Sequence, residues 1–209
     1  MHLTIATPSP FARKIRIVIR EKNITCCESV ENPWDIDTTI GKLNPLGQVP
    51  VLTTDEGDVL FDSRVIFDYL EQKVPNKPLL PSAADDQIYT RKIEAIADGM
   101  SNAVILIVLE SHRLERLQSI DWIKRQEKKL EKSLCFLDTQ LRDEGWFVGR
   151  KMTLADVSVG CALSYLDLRL PHFSWEKSYP SLHTFSTLIE RRPSFKDTLL
   201  VIQEITPVQ

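Results

Sequence analysis

The chain has 209 residues, of which 43% are apolar, and its formal net charge is -3 at neutral pH. This length predicts a compact chain of two small domains with enough apolar residues to bury their cores. The charge leaves no basic excess for DNA or RNA, and no apolar run reaches the roughly 20 residues that span a bilayer. The chain starts on a strand pattern without a basic and apolar leader, so we expect a cytoplasmic protein that binds neither nucleic acid nor membrane.

An apolar, strand-like run at the N-terminus gives way to a helical pattern at Ser9. Pro10 follows, and proline is favoured at the first helical position because its missing N–H is not needed there. Ser9 is therefore predicted to be the N-cap, with Phe11, Ile15 and Val18 on the buried face. The backbone donors and dipole of a helix N-terminus also bind anions, including a thiolate. The Ser9 hydroxyl thus has two interpretations, a plain cap or a contact to an anionic ligand.

Further along the chain, two prolines and a glycine punctuate the loop 44–50, NPLGQVP, which leads into a predicted strand at 51–54. Pro50 opens that strand. A cis peptide bond before it would hold the N–H and C=O of Val49 ready to pair with an extended peptide ligand. An ordinary trans proline at a strand start is the alternative.

A turn at 55–58 and a short strand at 59–61 then lead to Asp62 and Ser63, at the predicted N-terminus of another helix. The element order is thus strand, helix, strand, helix, strand, strand, helix. Two helix N-termini and one exposed strand edge can converge on one ligand.

This order, with Ser9, Val49-Pro50 and Asp62-Ser63 at their places in it, resembles the cytosolic glutathione transferase family along the whole chain. The motif is similar to that of bacterial, serine-type members with theta-, zeta- or omega-like N-termini. The resemblance implies a cis Pro50 and pairing of the Val49 backbone with the cysteinyl residue of glutathione. It also implies that Asp62 takes the γ-glutamyl ammonium, while the hydroxyl and N–H of Ser63 take the carboxylate.

The same resemblance suggests residues at the edges of the site. Gln48, and Lys42 as a further candidate, would face the glycyl end of glutathione. Pro8 and Phe11 would help to line a pocket for the electrophile. Asp98, on the first helix of the second domain, would reach the ligand of a neighbouring subunit.

Within the family, the residue at the Ser9 position decides the chemistry, because some classes use Ser or Tyr there to activate the thiol and others use Cys. Serine cannot form a disulfide and the chain has no CxxC, so thiol–disulfide exchange at this site is disfavoured. Thr7 is the alternative thiol contact if the helix starts elsewhere. Arg13 and Lys14 are interpreted as the solvated face of a basic amphipathic helix, and the alternative is that they add positive potential one turn inside the helix.

The predicted fold class is an N-terminal thioredoxin-like α/β domain at 1–75, a linker at 76–83, and a C-terminal all-α helical domain at 84–209 that holds the electrophile pocket and the dimer interface. Apolar residues at helical spacing predict two helices that pack as an antiparallel pair. A capping box from Thr153 to Asp156 then begins a central core helix. The end of the chain is predicted to form two short helices broken at 192–193.

Cysteine and histidine spacing shows no metal-binding pattern, so we expect no metal and free thiols in a reducing compartment. Cys135 and Cys161 are predicted to be buried on helices, whereas Cys26 and Cys27 are predicted to point to opposite faces of the second strand.

The leading functional hypothesis is a homodimeric enzyme that binds glutathione as the thiolate and transfers it to an electrophilic, hydrophobic small molecule in detoxification. One alternative is a glutathione-dependent isomerase, although Pro10-Phe11 replaces the Ser-Cys pair of zeta-class members. The other is a non-enzymatic relative that uses the fold for protein interaction.

Overall fold

The computed structural model describes residues 1–142 and 144–203. The chain divides into two compact units, one formed by Met1–Leu79 with the segment from Pro193 onward, the other by Leu80–Arg192. The sequence predicted a linker at 76–83 and a second domain at 84–209, whereas the structure divides near residue 80 and groups the segment from Pro193 onward with the first unit. Residues 143 and 204–209 of that predicted domain lie outside the described residues.

The first unit is built on a small mixed sheet with helices. Its elements are β1 (His2–Ile5), α1 (Pro10–Glu21), β2 (Cys27–Val30), α2 (Ile40–Leu43), β3 (Val51–Thr53), β4 (Val59–Leu60), α3 (Ser63–Lys73) and, from the C-terminal segment, α8 (Pro193–Lys196). The strand order is β2-β1-β3-β4, with β1 parallel to β2 and antiparallel to β3, and β3 antiparallel to β4. The predicted order of strands and helices in the N-terminal part is confirmed.

Helix α1 packs on α3 through apolar side chains that recur at helical spacing. Ile15 and Val18 of α1 are fully buried, as are Ile66, Phe67 and Leu70 of α3. Burial of these side chains contributes roughly 1.5–3 kcal/mol each. The pairing fixes the two helices whose N-termini carry Ser9 and Ser63.

The interpretation of Arg13 and Lys14 as a solvated face is wrong, because each is only 1% exposed. Helix α8 packs on α1. The Arg13 guanidinium donates through Nη2 to the carbonyl of Phe195 at 3.1 Å and lies over the Phe195 ring, 5.2 Å from its centroid. The C-terminal segment therefore covers part of the α1 surface that the sequence pattern assigned to solvent.

The second unit is helical within its described residues. Its helices are α4 (Ala84–Ser111), α5 (Ile120–Gln140), α6 (Leu154–Arg169) and α7 (Pro180–Ile189), with a short 3-10 turn at Glu115–Leu117. Helix α4 packs on both α5 and α6. The residues of α6 are buried almost throughout its first three turns, which confirms it as the core helix.

The predicted capping box at the start of α6 is present. The Asp156 carboxylate accepts the Thr153 N–H at 2.7 Å, the Thr153 hydroxyl at 2.8 Å and the Phe147 N–H at 2.9 Å. Burial raises the pKa of the Asp156 carboxyl to about 6, and these three hydrogen bonds limit the rise.

Two expectations about the cysteines are wrong. Cys135 is exposed, because Leu134 and Leu137 take the buried positions on α5 and Cys135 falls beside them. Strand β2 begins at Cys27, so Cys26 precedes the strand and the two do not alternate across it. Cys161 is buried as expected.

Candidate functional site

Sheet topology brings the predicted site residues of the first unit to one end of the sheet. Strands β1 and β2 run parallel, so both end there, and the antiparallel β3 begins there. Strand β4, antiparallel to β3, also ends there. The four segments beyond these strand ends carry Ser9, Glu31, Val49-Pro50 and Asp62-Ser63.

Ser9 is the N-cap of α1, as predicted. Its backbone is extended, and its Oγ accepts the Ala12 N–H at 3.2 Å. Among the described residues, no acceptor is present for the proton of the Ser9 hydroxyl. Capping uses the oxygen as an acceptor, so the hydroxyl can cap the helix and donate to an anion at the same time. The two interpretations of Ser9 are therefore compatible.

Thr7 is engaged by the C-terminal segment. Its hydroxyl donates to the Val201 carbonyl at 2.9 Å, and its own carbonyl accepts the Val201 N–H at 3.3 Å. A hydroxyl has one proton to donate, and that of Thr7 is already donated to Val201, so the Thr7 hydroxyl cannot also donate to a thiolate in this arrangement. The Ser9 hydroxyl therefore has a proton available for an anion, whereas the Thr7 hydroxyl does not.

The peptide bond between Val49 and Pro50 is cis, as the resemblance implied. Within residues 1–142 and 144–203, neither the N–H nor the C=O of Val49 has a hydrogen-bond partner. Pro50 is buried at the start of β3, whereas Val49 is partly exposed. A main-chain donor and acceptor are thus available beside the sheet end.

Asn44 shapes the loop before Val49, a role that sequence reasoning missed. This side chain is only 2% exposed; its Nδ2 donates to the Gln48 carbonyl at 2.8 Å, and its Oδ1 accepts the Leu46 N–H at 3.0 Å. The Asn-Pro-x-Gly sequence signals a turn, and asparagine commonly bonds its own backbone two residues on. That signal was sufficient to find the turn. It did not predict the second hydrogen bond, from Asn44 to the Gln48 carbonyl. The Gln48 side chain itself is exposed.

Asp62 and Ser63 begin α3, as predicted. Asp62 is the N-cap and accepts the Arg64 N–H at 3.0 Å. Ser63 is only 2% exposed, yet neither its hydroxyl nor its N–H has a hydrogen-bond partner in the described part of the chain. Donors at a helix N-terminus that have no partner in the chain are suited to binding an anion.

Lys42 lies on α2, exposed to solvent, and Phe11 lies in the first turn of α1, partly exposed. Asp98 is buried on α4, in the other unit. The structure therefore groups Lys42 and Phe11 with the first-unit residues, whereas Asp98 belongs to a separate body.

In the described residues, no group of three or more His, Cys, Asp and Glu side chains is placed to hold a metal ion. No helix in the same residues is long and apolar enough to cross a bilayer.

Comparison with known proteins identifies the class. The family model for the glutathione S-transferase N-terminal domain matches residues 8–73, and that for the C-terminal domain matches residues 120–187. An uncharacterised GST-like protein of Escherichia coli K12, YibF, is 36% identical over 198 residues, covering 95% of this chain and 98% of that one. The chain therefore belongs to the glutathione S-transferase family.

Solved structures agree. A glutathione S-transferase from Methylobacterium radiotolerans, in complex with glutathione sulfonate, is 38% identical with a TM-score of 0.96, over 100% of this chain and 98% of that one. Another from Methylobacillus flagellatus, with glutathione bound, is also 38% identical, with a TM-score of 0.92 over 96% and 99% of the two chains. The predicted glutathione transferase fold, a thioredoxin-like α/β domain plus an all-α domain, is confirmed.

Proposed function

We propose that this protein is a glutathione transferase that binds glutathione as the thiolate and transfers it to an electrophilic, hydrophobic small molecule. The observation that carries the proposal is the set of unpaired donors at one end of the sheet: the Ser9 hydroxyl, and the hydroxyl and N–H of the buried Ser63. The structures with bound glutathione and glutathione sulfonate in close relatives support the choice of ligand.

The arrangement fits a tripeptide laid across the sheet end. Ser63 would hold the γ-glutamyl carboxylate through two donors, and Asp62, whose second oxygen has no partner among the described residues, would hold the ammonium. The N–H and C=O of Val49 would pair with the cysteinyl residue, as in the addition of one strand to another. Gln48 and Lys42 would face the glycyl carboxylate.

Ser9 would keep the bound thiol ionised. A thiol with a pKa near ~8.5 is about 3% ionised at neutral pH, and lowering that pKa by about two units requires roughly 2.7 kcal/mol. A hydroxyl hydrogen bond to a charged acceptor contributes roughly 1.5–3 kcal/mol, and the α1 N-terminus adds roughly 0.3–1 kcal/mol. Together these two terms give roughly 1.8–4 kcal/mol, a range that includes the required value of about 2.7 kcal/mol without a separate base.

The proposal is tested by titrating the protein with glutathione in a calorimeter while recording the ultraviolet absorbance of the bound thiolate. We expect binding with a thiolate signal in the wild type, and loss of the signal in Ser9→Ala. Ser119 offers a matched control, because it is also an N-cap serine, accepting the Trp122 N–H at 3.3 Å, but lies in the other unit. Ser119→Ala should keep the thiolate signal.

The outcomes separate the hypotheses. A signal that survives Ser9→Ala would move the thiol contact to another donor. Absence of glutathione binding in the wild type would contradict the proposal and favour the non-enzymatic alternative. Binding with turnover of a cis-alkene diacid but not of electrophiles would favour the isomerase, an activity that the Pro10-Phe11 sequence argues against.

We also propose that the protein is a cytoplasmic homodimer. Exposed apolar side chains on α3 and α4, Val65 and Ile88, are supporting observations, since a partner would remove them from water. Light scattering coupled to gel filtration tests the dimer, and a monomer at micromolar concentration would contradict it.

A further inference from the structure

Glu31 occupies a junction between two parts of the candidate site. It follows the last residue of β2, and its N–H donates to the carbonyl of Ile5, the last residue of β1, at 2.8 Å. Its backbone is therefore fixed to the strand end that leads into Ser9.

The carboxylate of the same residue binds the start of α2. Oε1 accepts the Thr38 hydroxyl at 2.8 Å and the Ile40 N–H at 3.0 Å, and it also accepts the Thr39 N–H. Oε2 accepts the Thr39 hydroxyl at 3.2 Å. Partial desolvation raises the pKa of the Glu31 carboxyl, but the hydrogen bonds from these residues outweigh it and lower the pKa overall.

Helix α2 depends on this carboxylate because it has little else to hold it. The helix has four residues, and its N-cap, Thr39, makes no side-chain capping bond. Ile40 is the one residue of the helix that is buried. A helix of one turn is unstable in water without external support. Glu31 and the burial of Ile40 therefore set the position of α2, and Lys42 follows Ile40 by two residues.

We propose that Glu31 is a positioning residue for recognition of the glycyl end of glutathione, acting through α2 and Lys42. The inference rests on the proposed function, in which Lys42 faces the glycyl carboxylate. Glu31 does not touch the ligand; it holds the helix that presents the ammonium. Its loss should weaken only the part of the binding that the glycyl carboxylate supplies.

The test uses two ligands and four proteins. Dissociation constants are measured by calorimetry for glutathione and for γ-glutamylcysteine, which lacks the glycine, with the wild type, Glu31→Gln, Lys42→Met and the double variant. We expect Glu31→Gln to weaken glutathione binding on the order of tenfold and to leave γ-glutamylcysteine within about twofold. The double variant should bind glutathione no more weakly than Lys42→Met alone.

Glu28→Gln is the matched control. Glu28 lies on β2 and pairs with Arg16 and Arg20 of α1, at 2.9 and 2.8 Å. The Glu28→Gln substitution should not change the dissociation constant of one ligand more than that of the other. Should Glu31→Gln fail to fold, Thr38→Val removes one of the four hydrogen bonds to Glu31 and should show a smaller loss, again selective for glutathione.

Three results would overturn the inference: equal weakening of both ligands, no change in Glu31→Gln, or losses in Glu31→Gln and Lys42→Met that add in the double variant. A wrong proposed function would give a different result, because the wild type itself would then bind neither ligand. That result would contradict the inference as well.

Discussion

A buried ammonium joins the C-terminal ends of the two helices that carry the candidate site at their N-termini. Lys22 follows α1, and its Nζ donates to the carbonyls of Val74 and Lys77, each at 2.9 Å, and lies 2.7 Å from the Glu71 carboxylate. Its side chain is 0% exposed and that of Glu71 is 14% exposed. Lys22→Met keeps the aliphatic part and removes the charge, so it measures what these contacts contribute.

The expected loss of stability is about 3 kcal/mol. Removing one partner of a buried ion pair costs roughly 3–5 kcal/mol, because the other charge is left uncompensated. The lower end applies here, since the Glu71 carboxylate is partly exposed and still accepts the Leu79 N–H at 2.9 Å. For a chain of this size, the loss corresponds to a melting temperature lower by about 6–12 °C.

Urea unfolding followed by far-ultraviolet circular dichroism measures the change. Lys73→Met is the matched control, because Lys73 pairs with Glu56 at 3.3 Å but the two side chains are 45% and 59% exposed. Exposed pairs contribute about 0–1 kcal/mol, so the control should change stability by less than about 1 kcal/mol. Glu71→Gln combined with Lys22→Met should recover part of the loss. Equal effects of Lys22→Met and Lys73→Met would refute the reasoning.

Three further predictions concern the site and its support. Ser63→Ala should weaken glutathione binding by roughly 1.5–3 kcal/mol, about 10- to 150-fold, and an unchanged dissociation constant in calorimetry would contradict the assignment. Gly47 has φ +62° and no atom near an added Cβ, so Gly47→Ala should destabilise the protein by about 1–2 kcal/mol from backbone strain alone. Gly41 lies in helix α2, and Gly41→Ala should stabilise the protein slightly. Urea unfolding that ranks the two variants the other way would contradict this prediction. Between about pH 4 and 6 the folded protein keeps a proton on Asp156 that the unfolded chain releases, so the contribution of Asp156 to the unfolding free energy should fall by up to about 3 kcal/mol as the pH rises. Asp156→Asn should be less stable overall and should lose that part of the pH dependence. Equal slopes of unfolding free energy against pH in the wild type and the variant would contradict the prediction.

Local sequence signals were sufficient for the elements that carry the site. Ser9 before a proline and Asp62 before an apolar helical pattern are cap signals that depend on the next few residues only. The two-proline loop before β3 is likewise read from neighbouring residues. Because each signal is local, the strand and helix order of the first unit followed from the sequence, and the family resemblance supplied the cis Pro50.

The features that sequence reasoning missed depend on contacts between distant residues. Arg13 is buried because Phe195, far along the chain, packs on α1, and no periodicity within α1 encodes the partner that covers it. Glu31 caps α2 from the end of another strand, so its carboxylate replaces a local N-cap that Thr39 does not provide. In both cases a charged side chain satisfies backbone groups of a separate segment. Arg13, which the sequence pattern assigned to solvent, and Glu31, which no pattern singled out, thus help to hold the segments around the candidate site.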